Sequence, residues 1–194
     1  MCQIYLTLPS LLLYYELPHR IDGVSALSLA FQIRAAAPAD VPTLFRLIQD
    51  LAAYEHLSHS VSGTVAQLRE HLFGDRPYAE ALLAESHGQG IAYALFFTTY
   101  STFLTRPGLY LEDLFVLPTY RRQGVGTALI RALARIARDR HYGRLEWSVL
   151  EWNHPAIAFY EGIGAEVLPD WRICRLSGAP LWQLAQSQSS QASS

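Results

Sequence analysis

Hydrophobic positions change their period several times along the chain, and each change predicts an element. FQIRA at 31–35 alternates as a strand does. From Asp40 the spacing becomes helical: Val41, Leu44, Phe45, Leu47, Ile48 and Leu51 fall on one face, with Asp40 as candidate N-cap. A second short helix is expected after Thr64. EALLAES (80–86), IAYALFFTTY (91–100) and LYLEDLFVL (109–117) read as three strands, the first two joined as a hairpin by HGQG. Helical spacing returns at Val125, Ala128, Leu129, Ala132, Leu133, Ile136 and Ala137, which predicts a helix from about Gly124 to Arg140. RLEWSVLE (144–151) is predicted as a strand, NHPAIAFYEGI (153–163) as a short helix and VLPDWRICRL (167–176) as closing strand material. The predicted order is βααβββαβαββ, a mixed α/β domain over 31–185 with no internal repeat.

The ends differ from this domain. Residues 1–30 are apolar but broken by Pro9 and Pro18. They lack the basic start of a secretory signal and the arginine richness of a transit peptide, and so read as an extension or an upstream start. QSQSSQASS at 186–194 is low-complexity and expected to be disordered.

Composition narrows the function. The 194 residues are 51% hydrophobic and carry a formal net charge of −2, without the basic surplus of a nucleic-acid binder. Cys2 and Cys174 have no CxxC spacing, which excludes a zinc site of that kind and suits a reducing, cytoplasmic setting. His56 and His59 have helical spacing but no carboxylate follows in a zinc pattern, so no metal is expected. No apolar run reaches the roughly 20 residues of a membrane helix, so no membrane partner is expected.

RRQGVGT at 121–127 carries the chemistry. It lacks the GK[ST] ending of a Walker loop, and Leu129 stands where a dinucleotide fingerprint needs its third glycine or alanine. What remains is R-x-x-G-x-G between a strand and a helix start. Such a turn gathers backbone N–H groups and the positive end of the helix dipole around an anion, and suits a pyrophosphate.

With its strand, this turn resembles motif A of the GCN5-related N-acetyltransferase (GNAT) superfamily. LYLEDLFV, EWNHPAIAFYEGIGA (151–165) and AAYE (52–55) extend the resemblance to the diamine acetyltransferase branch, from about Phe31 to Ala185. The resemblance implies a mostly antiparallel sheet with helices on both faces, and acetyl-CoA as co-substrate. It places Arg121, Arg122, Gln123, Gly124, Val125, Gly126 and Thr127 at the pyrophosphate. Leu114, Phe115 and Val116 would pair with the pantetheine arm like an added strand, and Asn153 and Ala156 would also touch the coenzyme. A homodimer is implied as well.

Acetylating an amine needs a proton acceptor at the amine and a donor at the leaving sulfur. A lysine-like ammonium, with a pKa of about 10.4, is a free amine in roughly one molecule in a few thousand at pH 7. By resemblance Glu112 accepts that proton and Tyr160 supplies the other. No cysteine lies in the motifs, so direct transfer is preferred to a covalent intermediate. Strand alternation puts Glu112 and Asp113 on opposite faces unless a bulge intervenes. Tyr54 and Glu55 match a substrate-contacting pair, Asp113 is a further candidate, and Ser101–Thr102 match the thialysine members rather than the polyamine ones. A small amine is the expected acceptor. A protein amine, a polyamine, and a sensor that binds acyl-CoA without turnover are the alternatives.

Overall fold

The computed structural model describes residues 31–186, in two compact units divided between Ser148 and Val149. The expected extension (1–30) and the Ser/Gln tail beyond Gln186 lie outside the described residues.

The first unit is a sheet in sequential order: β1 (Gln32–Ala35), β2 (Glu80–Ser86), β3 (Gln89–Ser101), β4 (Arg106–Val116) and β5 (Leu145–Trp147). Every pairing is antiparallel except β4 with β5. His87 and Gly88, at φ 50° and 75°, form the left-handed two-residue turn between β2 and β3.

α1 (Val41–Tyr54) and α2 (Val65–Phe73) cover one face of this sheet. Leu44 and Leu47 of α1 and Leu72 of α2 form one core cluster with Ala81, Leu83, Tyr93 and Phe115. Leu82, Ala84, Ala92 and Ala94 alternate to the other face and are also buried, and α3 (Val125–Asp139) packs on the sheet there through Leu129, Ile130 and Leu133. The fold class is the one expected.

Particular elements differ from expectation. Asp40 occupies the N-cap position of α1 as expected, but in helical geometry at φ −82° and without a side-chain capping bond; its carboxylate instead takes the Ala37 N–H at 2.7 Å. Arg34 donates to Asp40 at 2.9 Å and to Glu85 at 2.9 Å, which joins β1, β2 and the start of α1. That hydrogen bond from Arg34 holds the Asp40 carboxyl below its ordinary range. Its stabilising contribution is therefore present above the ordinary carboxylate pKa and disappears as pH falls through the depressed value. Thr64, by contrast, caps α2 as expected, accepting the Gln67 N–H at 3.2 Å.

β5 is three residues long rather than the eight predicted, because its ladder stops at Leu111 paired with Trp147. Just beyond, the β3–β4 register jumps from Phe96↔Leu111 to Leu95↔Asp113, a bulge at Glu112 that bends β4.

The second unit holds α4 (His154–Gly162) and a helix the sequence did not suggest, α5 (Ala179–Gln186). α4 ends in a Schellman turn: the Ala165 N–H reaches Tyr160 O at 3.0 Å and the Gly164 N–H reaches Glu161 O at 3.0 Å. Gly164 sits at φ 90°, which only glycine adopts without strain. The strand expected at 167–176 does not form, and Val167, Leu168, Trp171 and Ile173 are exposed.

Candidate functional site

The RRQGVGT turn forms as the sequence suggests. Gly124 starts α3 at φ 83°, and Arg122 is also left-handed at φ 60°. The first bond inside the helix runs from the Ala128 N–H to Gly124 O at 2.9 Å, and no side chain caps the end. The N–H groups of Gly124, Val125, Gly126 and Thr127 therefore have no acceptor within the helix. The Gln123 side chain braces the turn by donating to Thr119 O at 2.8 Å. Such a set of N–H donors suits an anion, and a Cβ added at Gly124 would meet nothing of the chain within 4 Å. Gly124→Ala is expected to cost about 1 kcal/mol of stability from the left-handed backbone alone. The space beyond it is open, so a rise in acetyl-CoA KM would come from the ligand or from the strained turn and not from a clash within the chain. Roughly tenfold, one charge-assisted hydrogen bond, is the expected rise in steady-state kinetics.

Among the described residues, no strand pairs with the second edge of β4 past Leu111. Leu117 N–H bonds Ile91 O at 3.0 Å, so Phe115 and Leu117 direct their main-chain groups at β3. Leu114 and Val116 then direct theirs to the edge that β5 leaves past Leu111. Of the segment expected to pair with pantetheine, Leu114 and Val116 have the backbone for it. Phe115 has not, and contributes a buried ring.

The bulge decides where the carboxylates point. With Glu112 as the extra residue opposite Leu95 and Phe96, the Glu112 and Asp113 side chains turn to the same side of β4. Asp113 pairs with Leu95, two residues from Tyr93 on one face, and accepts the Tyr93 hydroxyl at 2.9 Å. Burial pushes the Asp113 carboxyl up; the Tyr93 hydrogen bond opposes this and the charge of Glu112 adds to it. Burial likewise drives the Tyr93 hydroxyl far above its ordinary range, with Asp113, Glu55 and Glu112 all reinforcing it.

Glu55 reaches this cluster from the end of α1. The Leu57 N–H bonds Ala52 O at 2.7 Å and the His56 N–H bonds Ala53 O at 3.2 Å, closing a Schellman turn with His56 left-handed at φ 61°. That turn fixes Tyr54 as the last helical residue and Glu55 as the C-cap. An anion at a helix C-terminus opposes the dipole. Desolvation raises the Glu55 carboxyl further, followed by the charge of Asp113. Three carboxylates, Glu55, Glu112 and Asp113, whose charges act on one another and on Tyr93, make a site that favours a cation.

Ser101 and Thr102 do not join them. Ser101 is 4% exposed and its hydroxyl accepts from the Leu104 N–H at 3.3 Å and from Arg144 at 3.1 Å. It lies at the far end of β3, six residues from Leu95, or about 20 Å along the strand. Within one chain its part is to brace the β3–β4 turn.

Tyr160, Asn153 and Ala156 belong to the second unit. Tyr160 is 8% exposed, with its ring 5.2 Å from that of Phe159. Asn153 occupies the N-cap position of α4, but its side chain makes no capping bond; its carbonyl takes the Ala156 and Ile157 N–H groups, each at 3.0 Å.

Sequence reasoning missed Tyr93 and the side chain of Arg121. Tyr93 is the one hydroxyl in the run IAYALFF, and only the β3–β4 register brings it to Asp113. The Arg121 guanidinium carbon lies 4.4 Å from the centre of the Tyr54 ring, a contact across 67 residues with no local signature.

Residues 46–165 match the acetyltransferase (GNAT) family. A thialysine N-epsilon-acetyltransferase of Bos taurus is 37% identical, over 79% of this chain and 96% of its own length. L-ornithine N5-acetyltransferase of Arabidopsis thaliana is 32% identical, over 77% of this chain and 86% of its own length. Among solved structures, an integron cassette protein from the mobile metagenome of V. cholerae superposes with a TM-score of 0.69 at 24% identity, over 83% of this chain and 99% of that one. The chain therefore belongs to the GNAT acetyltransferase family, as an amine N-acetyltransferase of its diamine branch.

Proposed function

We propose that the chain acetylates the side-chain amine of a small, lysine-like amino acid or short diamine by direct transfer from acetyl-CoA. The observation that carries this reading is the grouping of Glu55 and Glu112 with Asp113, whose carboxylate accepts the Tyr93 hydroxyl at 2.9 Å. Thialysine and ornithine, the amino acids in the names of the relatives, each offer a terminal ammonium that this cluster would take.

Acetyl-CoA, when bound, supplies an activated acetyl group at the end of an arm long enough to follow β4. The α3 N-terminus and the glycine turn hold its pyrophosphate, and the edge groups of Leu114 and Val116 align the arm. Asp113 and Glu55 hold the ammonium, and Glu112 takes its proton so that nitrogen can attack. Tyr160 returns a proton to the departing thiolate. A homodimer belongs to the same proposal, checked by light scattering.

The acceptor is tested by letting amines compete. Thialysine, lysine, ornithine, putrescine, diaminopropane, spermidine and spermine are mixed at equal concentration with acetyl-CoA, and products are read by mass spectrometry. Acetylated thialysine, or another short amine, should dominate. Preferential acetylation of spermidine or spermine would contradict the choice of acceptor and leave the reaction type standing.

A further inference from the structure

We propose that Arg121 is a positioning residue that couples the coenzyme turn to the amine-binding end of α1. The inference rests on the reading above of that turn as the pyrophosphate site and of Tyr54–Glu55 as an amine contact.

Three contacts place it. Arg121 opens the glycine turn, so its backbone moves with the cradle. Its Nε donates to Val116 O at 3.0 Å, the carbonyl on the second edge of β4. Its guanidinium lies over the Tyr54 ring at 4.4 Å and 5.7 Å from the Phe115 ring centre. The planar cation is thus held between a helix end and a strand end, with one nitrogen committed to the backbone. Arginine suits this place because it can stack and donate at once, which the compact ammonium of lysine cannot.

The consequence is mechanical. Tyr54 and Glu55 are adjacent in the Schellman turn that closes α1, so a backbone shift that carries the Tyr54 ring would carry Glu55 with it. A pyrophosphate seated on the turn fixes Arg121, Arg121 fixes Tyr54, and the cation site is set before the amine arrives. By reciprocity the amine tightens acetyl-CoA by the same factor. Val116 O is partly engaged by Arg121, so the strand offered to pantetheine is aligned by the same side chain.

The test is calorimetric titration of acetyl-CoA in the absence and presence of a saturating thialysine analogue whose side-chain nitrogen is trimethylated, which keeps the cation and leaves no lone pair there to acetylate, together with steady-state KM values for both substrates. Wild type, Arg121→Lys, Tyr54→Leu and Tyr54→Phe are compared. In wild type the analogue should tighten acetyl-CoA by about fivefold or more. Tyr54→Leu, on the amine side, should raise the acetyl-CoA KM and abolish that tightening, and Tyr54→Phe, which keeps the ring, should restore both. Arg121→Lys should abolish the tightening and raise both KM values, and the double variant with Tyr54→Leu should be no worse than the poorer single one.

A rise confined to the amine KM in Tyr54→Leu, with acetyl-CoA unaffected, would overturn the coupling and leave the enzyme reading intact. Tight, unchanged coupling in Arg121→Lys would overturn it too. Failure of wild type to bind acetyl-CoA would instead remove the functional reading on which the inference stands.

Discussion

Glu112→Gln is expected to lower kcat by about 10²–10⁴-fold near neutral pH, the usual contribution of a positioned general base. The substitution keeps size and shape, and Glu112 is exposed on a bulge with no ladder partner, so stability should change by less than about 0.5 kcal/mol. Acetyl-CoA affinity should be unaffected, because the proposed coenzyme contacts begin at Leu114. A pH profile separates lost base catalysis from lost geometry. As pH approaches the amine's own pKa of about 10, a growing fraction of amine arrives deprotonated and needs no acceptor. The variant should therefore recover with rising pH and converge on wild type. A constant deficit across the profile would assign Glu112 to binding or structure.

Asp113→Asn is expected to move stability and function in opposite directions. Burial holds the Asp113 carboxyl above its ordinary value of 3.8, with Glu112 adding to the rise. A raised folded-state pKa means that the folded state favours the protonated acid. The contribution to stability is present below the unfolded-state pKa and is lost as pH climbs through the raised value, so at neutral pH the ionised carboxylate is a burden. The neutral amide removes that burden and can still accept the Tyr93 hydroxyl. The melting temperature at pH 7 should rise by about 2–4 °C, and the gain should vanish in acid, where wild type is protonated anyway.

The same change should raise the amine KM roughly 10–100-fold, the loss of one charge-assisted contact to a cation. In wild type that KM should itself climb as pH falls and Glu55 and Asp113 take up protons. Thermal melts at two pH values and amine titrations at fixed acetyl-CoA measure both halves. A variant that is less stable and unchanged in amine KM would make Asp113 a structural partner of Tyr93.

The origin of this opposition explains what could be read before the fold was known. Local features were legible. The helical stripe of α3, the Thr64 cap, the His87–Gly88 turn and the glycine turn at 121–127 each depend on a few neighbouring residues and formed as expected. Features set by pairing were not. The bulge at Glu112 is a property of the β3–β4 register, and alternation along β4 alone would separate Glu112 from Asp113. β5 looked longer because its residues suit a strand, yet a strand lasts only as long as its partner runs alongside. Asp40 takes the cap position that its place before a helical stripe suggests, but Arg34 and Ala37 claim its carboxylate.

The site divides the same way. The glycine turn, Glu112 and the Tyr54–Glu55 pair were candidates from motifs, because a motif is tied to order along the chain. Tyr93 and the stacking of Arg121 were not, because tertiary packing alone makes them neighbours of Asp113 and Tyr54. Ser101–Thr102 matched a motif in sequence yet sits at the opposite end of β3, where Arg144 and Leu104 occupy its hydroxyl.

The most direct measurement is CoA-thiol release by the full chain with acetyl-CoA and thialysine, wild type beside Glu112→Gln. The account predicts saturable, amine-dependent release by wild type and its near loss in the variant at neutral pH. Tight binding of acetyl-CoA without release on any small amine would contradict it, and would make the carboxylate cluster part of something other than a small-amine acetyltransferase.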